Sequence, residues 1–442
     1  MRFIYNFLFS IGFALSAPYY FMRLYRRGNW REGFYQRFGT FEPRIKQALT
    51  NRQTLWIHAV SVGEVNICTQ LIKALEPRVP NLKIVVSTTT TTGMGELKKK
   101  LPRHITLIYY PIDARKYVCR AIATIAPKAV VLVEAEIWPN FIWRLMERNT
   151  PLFLVNARMS ERSFRGYRRY RFFFRRFFNA FTGVGAQNET DAAKLLELGC
   201  QPDAVRVVGS LKYDAAVLDE RHPLDIPGIL RQLGVPTDAT ILLGGSTHDG
   251  EEAVLAEVFS RLRPSHPNLF LILVPRHFER GRQVGRELEA HGLKFAYRSE
   301  VNARTQHQAG EIDCLLVNTT GELRRFYEFA SVIFVGKSLT ASGGQNPIEP
   351  AALGKPIIFG PHMENFAPIA KAFVSEGGAC QVANAGELEK AIGGLLSDPA
   401  RAEEMGRCAQ KVVRDNRGSI DRTVDMIVEQ LRDADLYVVE KV

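Results

Sequence analysis

The stretch that decides the fold runs from the apolar Val332-Ile333-Phe334-Val335, through Gly343-Gly344-Gln345-Asn346-Pro347-Ile348-Glu349-Pro350, to Pro356-Ile357-Ile358-Phe359-Gly360. Two short Val- and Ile-rich runs flank a glycine pair and the first turns of a helix over residues 348–353. That is a strand, a turn, a helix and a strand. A glycine pair lets backbone N–H groups approach a ligand closely. A helix N-terminus adds unpaired donors and the positive end of a dipole, which suits phosphate. Glu349 has the wrong charge for phosphate but is the right acceptor for sugar hydroxyls. The stretch reads as a site that holds a nucleotide by ribose and phosphate. The plainer reading is an ordinary strand-to-helix turn with a solvated Glu349.

Outward from this unit the same alternation fills the chain. Apolar runs at residues 55–61, 84–88, 107–111, 130–134, 152–156, 183–186 and 205–209 form one series. Runs at 241–246, 269–275, 294–297, 314–317, 332–335 and 356–359 form a second. Runs of this kind are strands buried on both faces, and the helical patterns between them make βαβ units with parallel sheets. The pattern breaks over residues 212–234, where Asp, Glu, Arg, His and Pro cluster. The expectation is an α/β protein of two doubly wound, Rossmann-like halves joined by a polar linker. They face a cleft, with ligands outside the carboxyl ends of the strands. A last helix over 420–436 is placed to pack on either half.

Composition bounds the partners. A length of 442 residues suggests two or three domains, and 46% hydrophobic residues is ordinary for folded cores. A net charge of +12 favours nucleic acid, anionic lipid or acidic substrates. The six cysteines are scattered without a C-x-x-C pair. That argues against a zinc site or a disulfide framework and fits a reducing compartment. Residues 3–22 carry no charge over 20 positions and run into Arg23, Arg26, Arg27 and Arg31. Such a length spans a bilayer as a helix, and the arginines mark its cytoplasmic side. Asn6, Pro18 and several tyrosines weaken that reading. We expect a retained N-terminal membrane anchor; the alternative is an apolar helix packed on the protein.

Candidate chemistry stands at strand ends. Glu64 closes His58-Ala59-Val60-Ser61-Val62-Gly63-Glu64, at the turn into a helix. A carboxylate there is placed as a general base for a substrate hydroxyl, or as a helix cap, and position alone leaves both open. The run at 130–134 ends in Glu134-Ala135-Glu136, two carboxylates on one side of a strand. A divalent cation is one use for them. No Asp-x-Asp stands at a strand end, and Asp433-Ala434-Asp435 lies on the terminal helix. Metal-independent chemistry is therefore favoured. Lys212 follows the run at 205–209 and either meets an anionic substrate or is a plain surface lysine.

In the second half, five polar or Gly-rich turns follow successive strands. They are Gly244-Gly245-Ser246-Thr247-His248, Pro275-Arg276-His277, Thr320-Gly321-Glu322, the stretch from Gly343 to Glu349, and Gly360-Pro361-His362-Met363-Glu364-Asn365-Phe366. Each is weak alone; together they make a site. No G-x-G-x-x-G and no G-x-x-x-x-G-K-[ST] occurs, which counts against a dinucleotide enzyme or a P-loop NTPase. Residues 162–178 carry seven Arg and eight aromatics. Read as one helix, they present an arginine side and an aromatic side, which suits an anionic membrane surface. Stacking on nucleic acid and burial of the aromatic side in the core are the competing readings.

With these motifs placed, the chain resembles the transferases of 3-deoxy-D-manno-octulosonic acid (Kdo) that act in lipopolysaccharide assembly. The resemblance is carried by His58–Glu64, Glu134-Ala135-Glu136-Ile137-Trp138-Pro139, Asn156-Ala157-Arg158, Gly209-Ser210-Leu211-Lys212, Pro275-Arg276-His277 and Gly343–Glu349. It implies the two-domain GT-B glycosyltransferase fold. The implied divisions are an anchor at 1–30, an acceptor-binding domain at 31–215, a CMP-sugar-binding domain at 216–418 and a terminal helix at 419–442. It further implies an inverting, metal-independent transfer of Kdo from CMP-Kdo to the lipid A precursor (lipid IVA), with no cofactor. Glu64 is implied as the base, with Glu134 and Lys212 stabilising the transition state. The implied CMP site is Pro275, Arg276, Thr320, Gly321, Glu322, Asn346, Pro347, Ile348 and Glu349. The expected partners are the donor, the lipid acceptor and anionic inner-membrane lipid at the cytoplasmic face, and no nucleic acid. A lipid-directed transferase with another nucleotide-sugar donor is the alternative. A membrane-bound scaffold with a degenerate fold is disfavoured by the presence of Glu64, Lys212, Arg276 and Glu349. The number of Kdo units transferred stays open.

Overall fold

Strands form where the chain is apolar on both faces. In the first sheet these are β1 (Gln53–His58), β2 (Leu82–Thr88), β3 (Thr106–Tyr109), β4 (Pro127–Val133), β5 (Leu152–Ala157), β6 (Gly183–Ala186) and β7 (Val205–Val207). In the second they are β8 (Thr240–Thr247), β9 (Leu269–Pro275), β10 (Phe295–Tyr297), β11 (Cys314–Leu316), β12 (Val332–Val335), β13 (Ile357–Phe359) and β14 (Ala379–Gln381). The structure, a computed structural model, describes residues 1–26, 31–134, 137–215 and 224–433. Of the residues named above, Arg27, Ala135, Glu136, part of the polar linker, and Ala434 and Asp435 of the expected terminal helix lie outside those residues.

Every strand pairing is parallel. The orders are β3-β2-β1-β4-β5-β6-β7 and β10-β11-β9-β8-β12-β13-β14. Alternation along the strands feeds two cores in the first unit. Leu55 and Ile57 point into one and Trp56 into the other; on β5, Phe153 and Val155 oppose Leu152 and Leu154. β14 was not anticipated. Its Ala-Cys-Gln lacks the Val, Ile, Leu or aromatic residues that mark the other strands. β1 stops at His58 rather than at 61, because Ser61 is taken as the N-cap of the next helix.

The described chain falls into two compact units, Met1–Ala215 with Arg417–Val442, and Ala216–Asn416. The terminal helix Ser419–Asp433 returns to the first unit. Its Ile420, Val424, Ile427, Val428 and Leu431 recur at helical spacing and enter the core beside Val65, Leu71 and Ile72.

Two expectations change. The segment 162–178 is not one helix but two, Glu161–Arg169 and Arg171–Phe178, broken at Tyr170. Phe164, Phe177 and Phe178 are buried, and Tyr167, Phe173 and Phe174 pack against the same core. Six of the eight aromatics therefore serve packing, and only Tyr170 and Phe172 are exposed. The seven arginines remain exposed. The N-terminal helix spans Arg2–Arg26, and its first turns dock on the first unit. The Tyr5 hydroxyl donates to Asp113 Oδ2 at 2.8 Å, and Asn140 Nδ2 donates to Asn6 Oδ1 at 2.8 Å. Beyond them Phe7, Leu8, Ile11, Leu15, Tyr19 and Met22 are exposed. Among the described residues no helix is long and apolar enough to cross a membrane, so the anchor expectation rests on that exposed apolar surface alone.

Candidate functional site

In each sheet the first strand of the unit has neighbours whose connections lead off in opposite directions. β1 and β4 are neighbours in the first, and β8 and β12 in the second. Connections leave such neighbours toward opposite sides and open a crevice at the strands' carboxyl ends. In the first unit Glu64 follows β1 and Glu134 follows β4. In the second, His248 follows β8 and the glycine turn follows β12.

Glu64 sits in a reciprocal cap. The Glu64 N–H donates to Ser61 Oγ at 3.2 Å, while Val60 N donates to Glu64 Oε2 at 2.8 Å and Ser61 N to Oε1 at 3.3 Å. The capping alternative is thus realised, and it holds the 9% exposed carboxylate at the helix's positive end. Each carboxylate oxygen has a second lone pair, so capping and proton acceptance are compatible. Just upstream, His58 is fully buried. Its Nδ1 lies 3.1 Å from Ser87 O and 2.9 Å from Ser87 Oγ, and its ring stacks on Tyr110 at 4.0 Å. Burial pushes the imidazole down to about 3, so it is neutral.

Glu134 adopts a left-handed backbone, φ 60°, uncommon for a residue with a side chain. Fully buried Asn156, φ 53°, does the same on β5. Its Nδ2 donates to Glu134 Oε1 at 3.4 Å, and its Oδ1 accepts from Leu211 N at 3.2 Å. One amide thus links the exit of β4 to the segment that carries Lys212. Two residues on, Asp214 accepts from Gly418 N and Ile420 N, both at 2.8 Å, and so anchors the start of the terminal helix. Burial holds the Lys212 ammonium below the usual lysine range; the charges of Glu134 and Glu64 oppose this and Arg158 adds to it. Glu64 and Glu134 therefore both bear on Lys212 within one unit. Asn156 was quoted in a motif without a role. Its signal was a polar residue near the end of an otherwise apolar strand.

In the second unit the strand-end turns share one edge. Pro275 ends β9, and Arg276 N donates to Thr247 O at 3.0 Å, joining the exits of β9 and β8. The Arg276 side chain is exposed and makes no hydrogen bond or ion pair among the described residues. Gly321, φ 84°, turns the chain between Thr320 and Glu322 into the helix Leu323–Phe329. The Glu322 carboxylate pairs with Arg298 at 3.1 Å and accepts from Thr319 Oγ1 at 2.8 Å. Asn346 accepts from Ile348 N at 3.1 Å and donates to Glu349 Oε1 at 3.0 Å, just past Pro347. The helix they open, Ile348–Ala352, is only five residues long.

The glycine pair does not offer its N–H groups to a ligand. Gly343 N donates to Glu364 Oε2 at 2.6 Å, and Gly344 N to Lys337 O at 2.8 Å. The pair is needed for its left-handed φ, 121° and 70°, and for close contact with Asn365 and Met363. Glu251 was missed altogether. Fully buried, it accepts from His248 N, Lys337 N, Ser338 N and Leu339 N at 2.7–2.9 Å and fastens the exits of β8 and β12 together. At the first position of the helix Glu251–Leu262 it reads in sequence as a solvated N-terminal acid. Among the described residues, no three His, Cys, Asp or Glu side chains gather as a metal-holding set.

Residues 32–215 match the family model described as 3-deoxy-D-manno-octulosonic-acid transferase (kdotransferase). The chain is 32% identical over 403 residues to a 3-deoxy-D-manno-octulosonic acid transferase of Haemophilus influenzae, covering 87% of this chain and 92% of that one. It is 31% identical over 437 residues to the Bordetella pertussis protein of the same name, covering 96% and 99%. The crystal structure of a glycosyltransferase from Rickettsia africae superposes with a TM-score of 0.56 at 15% identity, over 87% of this chain and all of that one. That likeness concerns the fold: two parallel α/β units of the GT-B type.

Proposed function

This chain belongs to the 3-deoxy-D-manno-octulosonic-acid transferase family, glycosyltransferases of lipopolysaccharide biosynthesis, and from that premise we propose that it moves Kdo from CMP-Kdo to the lipid A precursor with inversion and without a metal. The observation that carries the mechanism is the interlocked set of Glu64, Glu134, Asn156 and Lys212 at the switch point of the first sheet. In a single displacement, the acceptor hydroxyl oxygen bonds to the anomeric carbon as the bond to the CMP phosphate oxygen breaks. The bonding pair leaves with CMP, and the hydroxyl proton passes to Glu64. Carbon bears positive charge as the bond breaks, by analogy with glycoside hydrolysis. Glu134 faces that charge, and Lys212 faces the departing or substrate anion. CMP is held at Pro275 and Arg276, at Thr320 to Glu322 and at Asn346 to Glu349. There the unpartnered Arg276 guanidinium suits phosphate or base, and Glu349 suits ribose hydroxyls.

The exposed apolar residues of Arg2–Arg26 and the exposed arginines at 162–176 lie on the same unit. We place them on anionic lipid at the cytoplasmic face of the inner membrane, where a lipid acceptor is met. The test is mass spectrometry of lipid A precursor incubated with the protein and separately made CMP-Kdo in EDTA. A mass gain of one or more Kdo units is expected. Gain only with added magnesium removes the metal-free mechanism, and no gain in either condition removes the donor assignment.

A further inference from the structure

The exit of β12 carries an unusual residue. Lys337 has φ 56°, a left-handed backbone that costs any residue with a side chain. It stands two residues past Val335 at the switch point of the second sheet, next to the exit of β8. The surroundings enforce that conformation. Glu251 takes the N–H of Lys337 at 2.7 Å and those of Ser338 and Leu339 at 2.8 and 2.9 Å, while the Lys337 carbonyl accepts from Gly344 N at 2.8 Å. Three successive N–H groups would make an anion-binding nest, but the buried Glu251 carboxylate already fills it. The positive charge left for a ligand at this point is the side chain's.

The Lys337 ammonium makes no hydrogen bond or ion pair among the described residues and is only partly exposed. It lies beside the glycine turn: a Cβ on Gly343 would stand 3.4 Å from Lys337 Nζ and 2.7 Å from Asn365 Nδ2. Glu364, on the turn that follows β13, accepts from Gly343 N and pairs with His362. Across the switch point, the His248 ring meets His277 edge-on at 5.6 Å, and its buried Nε2 has no partner among the described residues. The His248 and Lys337 backbone N–H groups share one acceptor, Glu251 Oε2, at 2.8 and 2.7 Å; burial and then the Lys337 charge hold His248 below the usual histidine range.

We propose that Lys337, with His248 beside it, binds an anionic group of the sugar nucleotide, either its phosphate or its sugar carboxylate. This rests on the donor-site reading given above. The ammonium lies against the glycine turn, where the missing side chain of Gly343 leaves room for it.

The experiment compares wild type with Lys337→Met and Lys337→Gly, the second removing the charge while suiting φ 56°. CMP and cytidine are titrated calorimetrically, and KM is measured with CMP-Kdo. Loss of one charged contact costs about tenfold or more in affinity. If Lys337 holds the phosphate, both variants bind CMP about tenfold or more weakly and cytidine unchanged. If it holds the carboxylate, CMP binding is unchanged and KM for CMP-Kdo rises by that factor. Variants that match a turning-over wild type in all three measurements overturn the inference. A wild type that neither binds CMP nor uses CMP-Kdo overturns the donor-site reading, and the inference with it.

Discussion

The two switch points are built from the same topology and furnished differently. At the first, the charged groups are engaged with the protein: Glu64 in its cap, Glu134 through Asn156, and Lys212 within the field of both carboxylates. At the second, the acid is hidden and the cations are open. Glu251 is spent on four backbone N–H groups, while Arg276 and Lys337 have side chains without partners among the described residues. The difference teaches a division of labour. Preorganised charge suits the reacting atoms, where it stabilises a transition state without rearrangement. Open cations on a rigid frame suit a ligand that brings its own negative charge.

The largest expected effect breaks the first region alone. Glu64→Gln keeps the Ser61 N–H bond of the capping box but turns an NH2 toward Val60 N in place of Oε2, so the fold is kept while stability falls by about 1–3 kcal/mol. Turnover falls by about 10²–10⁴-fold as the base is removed; wild-type turnover in steady-state assays would exclude Glu64 as the base. Arg276→Ala acts on the second region. CMP affinity falls by about tenfold or more, while stability moves by less than about 0.5 kcal/mol because the side chain is exposed and unpaired. A denaturation midpoint well below wild type would show instead that Arg276 is structural.

Asn156→Ala probes the linkage inside the first region. It strands the Leu211 N–H and puts alanine at φ 53°. A loss of about 1–3 kcal/mol in urea denaturation is expected, with turnover reduced because Lys212 and Glu134 lose their common tether. The effect that shows only as a pH dependence concerns His58. Folded, it stays neutral down to about 3; unfolded, it protonates near 6.5. Between those values the unfolded chain binds the extra proton, so stability falls as pH drops through the window. His58→Gln flattens that part of the pH–stability curve relative to wild type, by at most about 1.4 kcal/mol per pH unit. Parallel curves for the two proteins would show that His58 titrates when folded.

Thirteen of the fourteen strands among the described residues were legible in sequence as short runs carrying Val, Ile, Leu or aromatic residues, most of them buried on both faces. Ala379–Gln381 was not, because Ala-Cys-Gln carries no β-branched or aromatic residue to mark a strand. The candidate residues were legible as positions at strand ends; their partners were not. A sequence does not tell that the Gly343 and Gly344 N–H groups are consumed by Glu364 and Lys337. Nor does it tell that Glu251 is a buried acceptor rather than a solvated acid, or that Glu134, Asn156 and Lys337 take left-handed backbones. The aromatics of 162–178 show the same limit: their helical spacing fits a membrane face and a core face equally, and packing against Trp143 and Phe178 decided for the core.

The most direct test of the division of labour is calorimetric titration of CMP into Glu64→Gln beside wild type and Arg276→Ala. The account predicts that Glu64→Gln, although inactive, binds CMP with wild-type affinity while Arg276→Ala does not. Weakened CMP binding in Glu64→Gln equal to that in Arg276→Ala would contradict it.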